Sequence, residues 1–136
     1  MNEQDVRHDL ARIARLVSDA GYSPGTSGNI SARVEKRILI SPTGARLSSL
    51  EADSLSEVSL DGVHLAGAQP TEEAQLHAGV YRVRPMARMI IHLHSPFATA
   101  LSCLEDLDTE DALPAYTPYY VMRVGTLPVV PYFPPG

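Results

Sequence analysis

The 136-residue chain has the length of one domain, and its 44% hydrophobic and 20% charged residues are typical of an ordinary globular protein. Its formal net charge of -5 argues against nucleic acid as the main partner, because a surface that follows phosphates needs clustered Lys and Arg. A single cysteine excludes an internal disulfide and no stretch is apolar enough to span a bilayer, so we expect a cytoplasmic protein with no membrane partner.

The first part of the chain is predicted to form a helix, two hairpins and a second helix. Apolar residues recur at spacings of four, three and four between Val6 and Val17, which is typical of an amphipathic helix, and Gly21 can end it. Pro70 is predicted to open another helix, with a body from about 72 to 82. Four strands are predicted in two hairpins, at residues 30–34, 37–41, 57–60 and 63–66.

The second part begins with a strand at 89–94, whose apolar content suits a buried position. Ser95 and Pro96 form an N-cap and first-turn pair, so a helix is predicted from there to about Leu104. A short helix after Thr117 and a last strand at 127–132 follow. Because helices alternate with strands and hairpins, the sequence predicts a layered α/β domain with a mixed sheet.

The strand at 89–94 carries the first candidate site. A period of two places His92 and His94 on one face, where both imidazoles can converge on one metal ion. The alternative is a pair of hydrogen-bonded core histidines. Two ligands alone do not define a metal site.

Two turns rich in glycine and hydroxyl residues are candidates for anion binding. Gly25-Thr26-Ser27-Gly28-Asn29 and Ser41-Pro42-Thr43-Gly44 stand at the two ends of one predicted hairpin. Each turn alone is more typical of ordinary loop structure. Because a hairpin brings its ends together, a shared anion site is predicted.

A third candidate is Glu73, in the expected first turn of the second helix. Carboxylates at this position, including the neighbouring Glu72, more often only stabilise the helix dipole. His77 lies one turn later on the same face and could orient Glu73. The remaining histidines are expected to be solvated and Cys103 to be a small buried side chain.

The ordered set of motifs resembles the class II aldolase/adducin family. The matching segments cover nearly the whole chain and are Gly25-Thr26-Ser27-Gly28-Asn29-Ile30-Ser31, Ser41-Pro42-Thr43-Gly44, Pro70-Thr71-Glu72-Glu73 and His92-Leu93-His94-Ser95. The resemblance implies a three-layer α/β/α domain with a mixed, largely antiparallel central sheet. It also implies a homotetramer.

The resemblance assigns roles to individual residues. It implies a divalent metal, usually zinc, with His92, His94 and Glu73 as ligands. Glu73 is also implied to be the catalytic acid/base, and Tyr119, which lies in a cluster of packing or site residues with Tyr120 and Arg123, is the second catalytic candidate. The positions implied to hold a substrate phosphate are Gly28, Asn29, Thr43, Gly44 and Thr71.

Later segments narrow the expected reaction. Leu101-Ser102-Cys103-Leu104-Glu105 and the stretch 117–125 resemble the 3-oxo-tetronate 4-phosphate decarboxylase branch, which releases carbon dioxide from a phosphorylated four-carbon 3-oxo acid and forms dihydroxyacetone phosphate. A fuculose-phosphate-type aldolase or an epimerase shares the earlier motifs. The alternative from another class is a non-catalytic, adducin-like assembly module.

Two features depart from the family pattern. Family members carry a third metal histidine in a later segment, whereas no histidine follows His94 here, so we expect a single domain over residues 1–136 that lacks a C-terminal segment. Glu72 stands where neutral or basic residues are usual beside the phosphate. An acidic side chain there repels a phosphate unless it turns toward solvent.

Overall fold

The computed structural model of the chain describes residues 2–134. Residues 2–94 form one compact unit and residues 95–134 form another, so the expected single domain over residues 1–136 stays a prediction. Across the described residues, none of the helices combines the length and the apolar character that crossing a membrane requires.

The first helix of the larger unit confirms the sequence prediction. Helix α1 spans Glu3–Asp19, and Asn2 begins it with a capping box in which the Asn2 side chain and Asp5 bond each other's backbone N–H groups. Gly21 follows the helix with φ +82°, a left-handed conformation that glycine adopts without a steric penalty.

One five-stranded sheet forms the centre of the larger unit, in the order β4-β3-β2-β1-β5. All four strand pairings are antiparallel, and the tight turn between the first two strands places Glu35 at φ +50°. The strands are β1 (Asn29–Val34), β2 (Arg37–Ile40), β3 (Ser56–Ser59), β4 (His64–Ala66) and β5 (Met89–His92).

Helices cover both faces of this sheet, which confirms the three-layer arrangement. On one face, Leu10 and Ala14 of α1 pack against Ile30 of β1 and further buried apolar residues. On the other face, Ala78 and Tyr81 of the second helix, α2 (Ala74–Val83), pack against the residues of β2 and β3 that point the opposite way. Alternation along the strands therefore supplies two separate apolar cores.

Two expectations about the elements near the candidate site need correction. Helix α2 begins at Ala74 rather than directly after Pro70, because Pro70 forms an isolated antiparallel bridge with Pro42. Strand β5 is not buried on both sides: among the described strands it pairs only with β1, and Ile91 is 40% exposed. The strand also ends at His92, so His94 lies beyond it.

The smaller unit contains helices α3 (Pro96–Ser102) and α4 (Pro118–Arg123). Thr117 caps α4 by accepting a hydrogen bond from the backbone N–H of Tyr120, as its sequence position predicts. The strand predicted at 127–132 is absent from the described residues, where only isolated backbone hydrogen bonds reach Leu127 and Val129. Two prolines within that stretch lack the N–H group that a strand ladder uses.

Two local features were also missed or misjudged. Short 3-10 helices at Leu47–Ser49 and Ala52–Ser54 connect β2 to β3, and they contribute the buried Leu47 and Ala52. Cys103 is exposed, so the prediction of a small buried side chain was wrong.

Candidate active site

Three side chains that can bind a metal converge at one end of the sheet. Glu73 stands immediately before α2, His92 ends β5, and His94 follows two residues later. One ligand atom from each of the three lies within 4.8 Å of the others. The two imidazole centroids are 4.9 Å apart and their planes are tilted by 50°. Two imidazoles and a carboxylate are a donor set that suits a divalent transition metal.

Backbone pairing fixes the position of this group. In the antiparallel register of β1 and β5, Asn29 lies opposite His92. Gly28 comes directly before β1 with φ +77°, and a Cβ atom built there would stand 2.7 Å from the carbonyl oxygen of His92. A glycine is therefore required both by the conformation and by the close approach of the two chain segments.

The Glu73 carboxylate receives hydrogen bonds from two directions. The amide Nδ2 of Asn29 donates to Oε2 at 2.5 Å, and Nδ1 of His92 is bonded to the same oxygen. Burial alone raises the pKa of Glu73, but the Asn29 bond and the charges of His92 and His94 bring the pKa below its ordinary value. The carboxylate is consequently anionic at neutral pH.

A buried chain of polar groups continues from Asn29 into the core beneath α2. The Oδ1 atom of Asn29 lies 2.6 Å from Nε2 of His77, and Nδ1 of His77 lies 2.7 Å from the Ser31 hydroxyl. That hydroxyl is 3.0 Å from the hydroxyl of Tyr81. Burial and the charge of His92 lower the pKa of His77 to about 4, although the charge of Glu73 acts to raise it. His77 is therefore neutral, and it reaches the Glu73 side chain only through Asn29.

Three of the residues predicted to hold a phosphate, Asn29, Thr43 and Thr71, are linked through Thr71. Its hydroxyl accepts from Nδ2 of Asn29 at 3.3 Å, and its backbone N–H donates to the carbonyl oxygen of Ser41 at 3.3 Å. Thr43 and Thr71 line one cavity of about 340 Å³. The backbone N–H of Thr43 donates to the carbonyl oxygen of Gln69, so the donor that Thr43 can offer to this cavity is its hydroxyl.

The two adjacent carboxylates have different surroundings. Glu72 is exposed and lines the cavity of Thr43 and Thr71, whereas Glu73 is half-buried and faces the histidines. The structure thus separates them as consecutive positions at a helix start require. Their proposed roles remain predictions, as do those of the phosphate-binding residues.

The other candidate residues are not part of the cluster of Glu73, His92 and His94. His8 and His64 are exposed, as expected. Tyr119 belongs to α4 in the smaller unit, where it is 64% exposed and the Arg123 guanidinium lies 5.4 Å from its ring centre. Its catalytic role stays a prediction.

Sequence reasoning missed the two residues that complete the buried polar chain, Ser31 and Tyr81. A signal for both was present in the spacing. Ser31 follows Asn29 by two residues on a strand, and Tyr81 follows His77 by four residues on a helix, so each pair shares a face.

Comparison with known proteins places this geometry in context. The model of the Class II Aldolase and Adducin N-terminal domain matches residues 8–136. The chain is 45% identical over 136 residues to the 3-oxo-tetronate 4-phosphate decarboxylase of Pectobacterium atrosepticum. The aligned region covers 99% of this chain and 62% of that protein. It is 42% identical over 135 residues to the protein of the same name from Escherichia coli K12, covering 98% and 64%. The chain thus spans less than two thirds of the length of these relatives.

Solved structures agree with the fold. The crystal structure of YgbL from Klebsiella pneumoniae superimposes with a TM-score of 0.91 at 43% identity, covering all of this chain and 66% of that one. L-fuculose-1-phosphate aldolase from Thermus thermophilus gives a TM-score of 0.71 at 26% identity, covering 89% and 60%.

Proposed function

Because the chain belongs to the class II aldolase and adducin family, we propose that it forms the metal-binding and phosphate-binding part of a carboxy-lyase. The proposed reaction converts 3-oxo-tetronate 4-phosphate to dihydroxyacetone phosphate and carbon dioxide. The observation that carries the proposal is the convergence of Glu73, His92 and His94 in a chain so similar to decarboxylases of that name.

The cluster fits a divalent metal, and we propose zinc, held by His92, His94 and Glu73. Imidazole and carboxylate groups bind zinc as well as other transition metals, and the shared family chemistry depends on such an ion. When bound, the ion supplies Lewis-acid stabilisation of negative charge on a substrate oxygen. We also propose a cytoplasmic location, which the single cysteine supports. The family resemblance supports a homotetramer.

Glu73 is suited to manage the proton that the reaction moves. Departure of carbon dioxide leaves its bonding electrons on the substrate, and the carbon that loses the carboxylate must then gain a proton. Because the product keeps its hydroxyl group, the proton that this carbon gains comes from solvent. Glu73, whose lowered pKa makes it anionic at neutral pH, takes up that proton from water and then transfers it to the carbon. The hydrogen bond from Asn29 keeps the carboxylate in one place for both transfers.

Substrate positioning falls to the neighbouring cavity. Its Thr43 and Thr71 hydroxyls provide donors for the phosphate, and Thr71 is bonded to Asn29, which in turn contacts Glu73. Gly28 and Gly44 belong to the same two turns and complete the proposed phosphate site with Asn29. Binding through the unreactive phosphate then places the 3-oxo acid beside the carboxylate. Exposed Glu72 can turn to solvent.

A sugar-phosphate aldolase is the second candidate, favoured by the similarity to the Thermus fuculose-phosphate enzyme. It would use the same carboxylate and metal site to break a carbon–carbon bond beside a carbonyl. A non-catalytic, adducin-like module is disfavoured, because an assembly domain has no need of two imidazoles and a carboxylate brought together in this way.

Two neighbouring substitutions test the proposal. Glu73→Gln should lower kcat for 3-oxo-tetronate 4-phosphate by roughly 10²–10⁴-fold, the usual contribution of general acid–base catalysis. Glu72→Gln is the matched control and should leave kcat unchanged, because the exposed carboxylate does not face the histidines. Coupled measurement of dihydroxyacetone phosphate release provides the assay. Full activity in Glu73→Gln would contradict the mechanism, and activity only on an aldol substrate would move the protein to the aldolase branch.

A further inference from the structure

The polar chain beneath α2, formed by Asn29, His77, Ser31 and Tyr81, is almost completely enclosed. Ser31 and His77 are fully buried, Tyr81 is 2% exposed and Asn29 is 7% exposed. Polar groups buried in this way are stable only when their hydrogen bonds are made. The donors and acceptors of the four side chains must therefore match along the whole chain.

Only one direction of donation satisfies every contact. The Glu73 carboxylate, 2.5 Å from the Asn29 amide, can only accept, so Asn29 must present its NH2 group to Glu73 and its oxygen to His77. The Asn29 oxygen also only accepts, and hence Nε2 of His77 carries the proton.

The contacts of Ser31 and Tyr81, at the far end of this buried set of polar side chains, agree with that tautomer of His77. With Nε2 protonated, Nδ1 of His77 accepts from the Ser31 hydroxyl, which in turn accepts from Tyr81. Each side chain in the series therefore donates its hydrogen bond to the next one, and the series ends at the Glu73 carboxylate.

We propose that His77 is a positioning residue, whose Nε2–H group holds the Asn29 amide in the orientation that donates to Glu73. Without that donor, the Asn29 oxygen loses its buried partner, and the amide is free to turn over. Its oxygen would then face the carboxylate and repel it from the position beside His92. The inference rests on the proposed role of Glu73, but it concerns a residue that touches neither substrate nor metal.

The tautomer can be observed directly. In long-range 1H–15N spectra of the 15N-labelled protein at pH 7, His77 should show the Nε2–H form, with an unprotonated Nδ1. A His77→Gln variant assigns its signals. A His77 ring protonated at Nδ1 would overturn the proposal, because Nε2 could not then donate to Asn29.

Three variants, titrated with Zn²⁺ and followed by NMR, separate positioning from packing. His77→Leu fills the space without a donor and should weaken zinc binding by about 10–100-fold, as loss of an outer partner of a ligand does. His77→Gln, whose amide can donate to Asn29, should restore affinity to within about threefold of the parent. Tyr81→Phe disturbs the same buried chain at its far end and should also stay within that range.

The outcomes are distinct. Equal weakening in the Leu and Gln variants, or equal weakening in Tyr81→Phe, would show a packing effect and overturn the proposal. None of these readouts uses decarboxylation. If the expected tautomer and affinities are found while Glu73→Gln retains full turnover, the proposed function fails and the positioning role stands.

Discussion

Lowering the pH from 7 to 5 should destabilise the protein through His77. Its pKa is about 4 in the folded protein and 6.5 when unfolded, because burial opposes the charged imidazole. Between these two values the unfolded chain binds a proton that the folded chain does not. Stability is therefore full above pH 6.5 and is lost as the pH falls toward 4.

The size of the effect follows from the two pKa values. Each pH unit below 6.5 costs about 1.4 kcal/mol, so the fall to pH 5 removes about 2 kcal/mol from the free energy of unfolding. The Glu73 carboxylate and the Tyr81 phenol, which also face His77, contribute little between pH 7 and pH 5. The pKa of Glu73 is lowered from 4.5 and the pKa of Tyr81 is raised from 10.0, so both titrate outside this range.

Urea unfolding at pH 7 and at pH 5 measures this loss. His77→Gln is the control, because it keeps a donor toward Asn29 but does not titrate, and its loss should be smaller than that of the parent by about 2 kcal/mol. The difference between the two proteins cancels the titration of histidines that do not interact with His77. An equal loss in both proteins would refute the assignment of a buried, neutral His77.

Two further predictions concern the ligands and the turn that supports them. His92→Ala should weaken Zn²⁺ binding by at least about tenfold, because losing a ligand costs more affinity than losing an outer partner of a ligand. His64→Ala, at an exposed position outside the cluster, is the control and should not weaken binding. Equal metal content in the two variants after dialysis would exclude His92 as a ligand. Gly28→Ala and Gly25→Ala both place alanine at positive φ, which costs about 1–2 kcal/mol. Only Gly28→Ala also forces a Cβ against the His92 carbonyl oxygen, so it should cost about 1–3 kcal/mol more in urea unfolding; equal stability would show that the two segments do not approach closely.

Local patterns in the sequence were sufficient for most of the larger unit. The apolar period of α1 and its glycine stop, and the two hairpins with their tight turns, depend on residues close together in the chain. The His92–His94 spacing also brought the imidazoles together although β5 ends at His92. These features share one cause, since short-range periodicity decides which side of an element a residue occupies.

Long-range contacts decided what the sequence could not. Pro70 carries the signal of a helix start, yet its pairing with Pro42 delays α2 to Ala74 and makes Glu73 the residue that precedes the helix. The hydrogen bond between His77 and Asn29 joins positions 48 residues apart, and no short-range sequence pattern predicts it. In the smaller unit, a strand was predicted at 127–132, but the prolines at 128 and 131 lack the N–H groups that a continuous ladder needs.

Asn29 joins the two halves of the candidate site. Its amide donates both to Glu73 and to the hydroxyl of Thr71, and that hydroxyl lines the cavity proposed for the phosphate. An amide nitrogen has two hydrogens, so both donors of the Asn29 side chain are committed. Asn29 then sets the position of the carboxylate relative to Thr71, which is a geometric task that neither family resemblance nor residue spacing reveals.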